Sequence, residues 1–254
     1  MKLWQKIGLI TLLMVVLLGA RIFFLWKARQ DPGAIARQEE QEASKPIPKD
    51  DLAVVRQLFL SSFDAAKQLE GTTVWVKAGY SLPDYPVVDG QIQFGKRVGV
   101  LPAAEKLTIA KIQKAKVPAK ENNRVPHGTQ QYFAVFSLPD EKPISGDSKS
   151  AFYAAPIGYA EGGNETLFCD QLFYYDDPRT IYDNWPKDVW TAVTAHTPTI
   201  GMSENQARMA VGILIDSDST SIGNRTVTYD VGAKKWTVTF VNDKATAVKE
   251  TTGT

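Results

Sequence analysis

Apolar and polar positions change their pattern several times along the chain. Residues 7–26 (IGLITLLMVVLLGARIFFLW) are an almost unbroken apolar run, interrupted by Arg21. A helix of about 20 such residues matches a hydrocarbon core about 30 Å thick. Trp4 and Trp26 bracket the run where interfacial rings would lie, and Arg21 is near enough to one end to snorkel. The pattern predicts a transmembrane anchor over residues 1–27. A secretory signal is the other reading, with Lys2 and Lys6 as its charged region and a poor cleavage site at Leu18-Gly19-Ala20. Cleavage there would leave RIFFLWK exposed, which favours a retained anchor. A positive-inside count of Lys27, Arg29, Arg37 and Lys45 against Lys2 and Lys6 puts the remainder in the cytoplasm. Long downstream domains translocate whatever their charge, however, and the signal-like start points outward. The expectation is a single-pass protein of the bacterial inner membrane with an extracytoplasmic, periplasmic domain.

Residues 28–49 are polar, with Pro32, Pro46 and Pro48, and predict a linker that forms no core. Leu52, Val55, Phe59, Phe63 and Ala66 then recur at three- and four-residue steps, between Asp50 or Asp51 as cap and Gly71 as stop, predicting an amphipathic helix from Leu52 to Leu69. Beyond it the period becomes two. Residues 73–78, 91–94, 97–101, 106–117, 130–138, 152–155 and 157–160 are short β-branched or aromatic runs split by Gly, Pro, Asp and Asn. Residues 50–175 are thus expected to hold the helix and a small, mostly antiparallel β domain.

Past Tyr174-Tyr175 helical spacing returns. Asp177-Pro178 caps a helix over 179–185, and Pro186 restarts one that carries Val189, Trp190, Val193 and Ala195 up to His196. Ser203 and Gln206 have capping-box spacing and Gly212 can terminate, predicting a helix from Glu204 to Val211. Residues 225–230, 235–241 and 245–249 alternate, with turns at 231–233 and 242–243 and with Trp236, Val238 and Phe240 on one face, predicting a three-stranded meander. Residues 176–254 form the last expected domain. The fold class is α+β: a transmembrane helix, a barrel-like β domain, then helices on an antiparallel meander.

Lys+Arg 29 against Asp+Glu 28 gives a formal net charge of +1, which offers no general pull on nucleic acid. The single Cys169 makes no intramolecular disulfide, and no cysteine near the start offers a lipid-attachment position.

Two resemblances follow from these residues. LEGTTVWVKAGYSLPDYP followed by VGVLPAAEKLTIAKI resembles the opening strands and long loop of a bacterial Src-homology-3-like barrel. IGMSENQARMAVG, a hydroxyl-rich loop and strands ending FVNDKATAVK resemble the BamE/SmpA-type fold of bacterial envelope proteins, through Gly201, Met202, Ser203, Gln206 and Gly212. The second resemblance implies a compact helix pair on a small sheet that serves protein contacts at the cell envelope without catalysis. It departs from that family in Ile213, where a proline often follows the glycine, and in lacking the lipidated N-terminal cysteine.

Asp216-Ser217-Asp218-Ser219-Thr220 after an apolar run looks like the DxDxT of haloacid-dehalogenase-type phosphotransferases, but too few residues follow for a doubly wound sheet. As a calcium loop it lacks glycine at the sixth position (Ser221) and glutamate at the twelfth (Val227), and it reads as a turn-rich loop. Cys169 with His127 or His196 could make a thiol nucleophile, yet FCDQLFYY reads as a strand edge and a buried structural cysteine. Two isolated histidines make no zinc signature. No catalytic residue, metal or cofactor is expected. Aromatic clusters that include Trp75, Tyr80 and Tyr85 read as core and rim packing or as a groove lining. Where a binding site exists, the resemblance to the barrel implies the loop Tyr80 to Tyr85, and Trp75, Tyr80 and Tyr85 are the candidate partner-binding residues.

The expected function is a non-catalytic, membrane-anchored scaffold or assembly factor making protein contacts in the envelope. A binding module for cell-wall glycan or peptide is the alternative, and a hydrolase dependent on Cys169 or Asp216 a further one. Expected partners are the membrane and envelope proteins, with peptidoglycan as another candidate and nucleic acid excluded.

Overall fold

The computed structural model describes residues 14, 18–23, 26–27, 49–80, 82–139, 152–230 and 234–252, and the chain divides into two compact units, Met1–Leu52 and Ala53–Thr254. In the first unit residues 14, 18–23 and 26–27 are helical and exposed, and Lys49–Leu52 is a 3-10 turn. Most of the apolar run and almost all of the linker lie outside the described residues. Among the described residues no helix is long and apolar enough to cross a membrane. This overturns the transmembrane anchor, the single pass and the inner-membrane location with a periplasmic domain. A span needs a continuous apolar helix of about 20 residues, and the described helical residues of the run are 14, 18–23 and 26.

The alternating middle of the chain builds a nine-stranded antiparallel sheet. Its strands are β1 (Thr73–Val76), β2 (Leu82–Val88), β3 (Gln91–Ile92), β4 (Gly99–Leu101), β5 (Lys106–Ala115), β6 (Gln130–Ser137), β7 (Phe152–Glu161), β8 (Asn164–Leu167) and β9 (Phe173–Tyr174). The order is β3-β2-β7-β6-β5-β1-β9, with β4 added on β2 and β8 on β7. A second antiparallel sheet runs β10 (Ile213–Ser217), β11 (Thr226–Asp230), β12 (Lys234–Val241), β13 (Lys244–Thr252) in that order. The helices of this unit are short: α1 (Phe63–Ala66), α2 (Cys169–Leu172), α3 (Pro178–Ile181), α4 (Lys187–Thr194) and α5 (Glu204–Val211).

The fold is therefore mostly β, two antiparallel sheets with thirteen strands among the described residues, and not the expected α+β assembly with a membrane helix and BamE-like helix packing. Three causes account for the difference. The helix expected from Leu52 to Leu69 is largely absent, because the carboxylate of Asp170 accepts from the N–H groups of Leu58 (2.9 Å) and Phe59 (2.8 Å) and holds residues 53–60 as an irregular strap. Phe59 takes a positive φ of 52°, and helix begins only after Ser62, whose hydroxyl caps Ala65. The supposed loop 80–85 becomes β2 from Leu82 onward despite Pro83 and Pro86, and Pro83 sits opposite Val100 of the short β4. The apolar Ile213–Ile215, with the aspartate that follows, pairs with β11 as a fourth strand, so the meander has four members.

Burial follows the period of two. In β1, Val74 and Val76 enter a core with Leu107, Ile109, Tyr132, Phe136, Ile157 and Phe173, while Trp75 on the opposite face packs on a second core. That second core lies between α4, α5 and the second sheet, around Val193, Met209, Tyr229, Val238 and Phe240. β6 is buried on both faces, with Phe133 and Val135 joining Tyr85 and Ile92 in a third, smaller core. Each such side chain contributes roughly 1.5–3 kcal/mol on burial.

Candidate functional site

A cleft of about 450 Å³ runs between β4 of the first sheet and β10 of the second. Gly99, Val100 and Leu101 form one wall; Ile213 and Ile215, with the end of α5 at Ala210–Gly212, form the other. Among the described residues β4 pairs with β2 alone and β10 with β11 alone, so each strand presents an edge with no neighbour. Such an edge is a row of main-chain donors and acceptors able to template another strand. β10 carries a bulge between Leu214 and Asp216, and Ile215 there is 46 % exposed.

The local sequence explains how the walls are placed. Ser203 accepts from the Gln206 N–H while the Gln206 side chain accepts from the Ser203 N–H, so the capping box starts α5 where the spacing predicts, and Gly212 at φ 82° ends it and turns the chain into β10. At the N-terminus of α5, Glu204 accepts from Arg225 and from the Gly223 N–H (2.7 Å), while its own N–H donates to Asp243 (2.9 Å). The helix, the β10–β11 loop and the β12–β13 turn are thereby tied at one residue, the loop through the Glu204 carboxylate and the turn through its main-chain N–H. On the other side Gly79, at φ 103°, lets the chain pass the Arg208 guanidinium; a Cβ there would lie 2.5 Å from Nη2. Tyr80 follows on the rim of the cleft, 46 % exposed.

Lys77, Arg97 and Arg124 line the cleft with Asp230 as the one carboxylate. The Lys77 ammonium donates to the Asp170 carbonyl (2.6 Å) and lies over the Tyr174 ring, and burial holds its pKa below the usual lysine range. Arg97 donates through Nε to the Gly99 carbonyl (3.2 Å), and neither Arg97 nor Arg124 forms a salt bridge among the described residues. Asp84 stands opposite Gly99 in the register, fully buried, with neither carboxylate oxygen in a hydrogen bond of acceptable geometry. Burial pushes its carboxyl up; the N–H groups of Asp84 and Gly99 and the charge of Arg97 hold back part of that rise.

Of the three candidate residues, only Tyr80 lines this cleft. Tyr85 is wholly buried in the third core, its hydroxyl donating to Glu121 (2.9 Å) and its ring edge-on to Phe94. Trp75 is half-buried and lines a separate cleft of about 350 Å³ with His196 and Trp190. The structure does not bring the three together. Arg97, Arg124 and the two strand edges escape the sequence reading; the apolar triplet Ile213-Leu214-Ile215 was the one available signal for an exposed strand.

The residues weighed for catalysis fall elsewhere. Cys169 is buried at the start of α2, where burial pushes its thiol up to about 12. It is expected to resist iodoacetamide at pH 8 in the folded protein and to react fully once denatured, as mass spectrometry of the intact chain would read. His127 contacts the Glu121 carbonyl (2.7 Å), and burial lowers the pKa of His196. Asp218 accepts from the Thr226 N–H (2.8 Å) across the β10–β11 loop and Asp216 from the Ser217 N–H (2.8 Å) within β10. Among the described residues no group of three or more His, Cys, Asp or Glu side chains could hold a metal ion.

Comparison with family models, with curated proteins and with solved structures finds no match for this chain.

Proposed function

We propose that this protein is a non-catalytic protein-binding module whose cleft between β4 and β10 receives an extended segment of a partner protein by main-chain pairing. The observation that carries the reading is that two strands on a single cleft, one from each sheet, each have an edge without a neighbour among the described residues. Main-chain hydrogen bonds to an edge supply affinity, and side chains of alternate residues find the pockets beside it. Tyr80 and Ile215 then lie at the mouth, where an aromatic and an apolar side chain grip the incoming strand.

Site-specific photo-crosslinking in living cells tests this. A photoreactive residue at Tyr80 and another at Ile215 of the full chain are expected to capture the same partner, and one at the exposed Lys249 of β13 to miss it. Different adducts at the two cleft positions, or adducts at Lys249 only, would sink the proposal.

A further inference from the structure

We propose that the segment this cleft receives is acidic, with Asp or Glu side chains alternating with apolar ones. The inference rests on the peptide reading above and adds the chemistry of the partner. The lining combines two kinds of side chain. Ile213, Ile215 and Val100 present apolar surface, whereas Arg97 and Arg124 are exposed cations without a salt bridge among the described residues. Lys77 adds a third positive charge, held in place by the Asp170 carbonyl and the Tyr174 ring. Against these three stands Asp230 alone. The whole chain carries a formal net charge of only +1, so this excess is local to the cleft and not a share of a generally basic surface. An extended strand sends successive side chains to opposite faces. A strand added here meets both the isoleucines and the arginines, and alternation of apolar and acidic residues offers a partner to each kind. Arginine forks match carboxylates in geometry as well as charge.

Fluorescence anisotropy with the full chain and labelled peptides of about eight residues, long enough for one strand, is the test. An alternating Val-Glu peptide is expected to bind about tenfold more tightly than its Val-Ser counterpart, with Val-Lys weakest. The advantage is expected to disappear in the double variant Arg97→Glu, Arg124→Glu and to shrink with added salt. Both arginines are exposed, so an unchanged thermal melt checks that the variant is folded. Equal binding of the Val-Glu and Val-Ser peptides overturns the acidic preference and leaves the peptide reading standing. Binding of none of the peptides overturns both. A single-stranded oligonucleotide that displaces the Val-Glu peptide, with the same dependence on the two arginines, overturns the acidic peptide in favour of a phosphate backbone.

Discussion

Replacing Glu204 by alanine is expected to lower the unfolding free energy by about 3–5 kcal/mol, the cost of breaking a buried ion pair by removing one partner. The side chains of Glu204 and Arg225 are 7 % and 13 % exposed, so water cannot take over the lost contact. Alanine leaves the Arg225 guanidinium without its carboxylate and the Gly223 N–H without its acceptor. It also frees the β10–β11 loop from the start of α5, so the wall of the cleft loosens together with the fold. Denaturant titration followed by tryptophan fluorescence measures the effect. Glu204→Gln keeps the shape and one acceptor and should lose less. A loss under about 1 kcal/mol for the alanine variant would mean that the tie between helix and loop is ornamental; the contact with the β12–β13 turn runs through the main-chain N–H of residue 204 and survives in the variant.

The opposite sign is expected at Asp84. Its folded-state pKa lies above the ordinary aspartate value of 3.8, so the native state holds the proton more tightly than the unfolded chain does. Stability from this carboxyl is fully present below about that value and is lost as pH rises through the folded pKa. At neutral pH the protein bears the cost of ionising or of keeping protonated a buried group whose oxygens lack hydrogen bonds. Asp84→Asn removes the ionisation at nearly constant shape. It is expected to stabilise by about 1–3 kcal/mol at pH 7 and to converge on the wild type near pH 4. Melting curves of both proteins across that range decide it; a gap independent of pH would rule out the carboxyl as the source.

What the sequence discloses depends on whether the cause is local. α5 was readable residue by residue, because Ser203, Gln206 and Gly212 make their contacts within the helix itself. β12 was readable from Trp236, Val238 and Phe240, since one face meets the core and the other meets solvent. The strap over residues 53–60 was not, because its helical spacing is overruled by Asp170, more than a hundred residues away in the chain. β2 was hidden by Pro83 and Pro86, residues that mark a turn unless a neighbouring strand leaves their missing N–H groups unneeded. Of the cleft, Tyr80 alone could be singled out, through the resemblance of its loop to that of a Src-homology-3-like barrel. The arginines could not, because charge on a loop says nothing of the wall it will face, and the opposed edges exist only once both sheets are assembled.

β1 and β9 have a consequence for how the second unit comes apart. Phe173 of β9 sits in the first core and Tyr174, the next residue, in the second; Val74 and Trp75 of β1 divide in the same way, and Trp75 pairs with Tyr174 across the two strands. The pair is a party wall common to two rooms. Stripping either core exposes apolar side chains on one side of that wall and loosens the ladder on which the other side depends, so neither sheet has a private boundary at which melting could stop. Cooperativity between the halves thus resides in a two-residue strand, and the cleft, whose walls come from both sheets, inherits its rigidity from the same place.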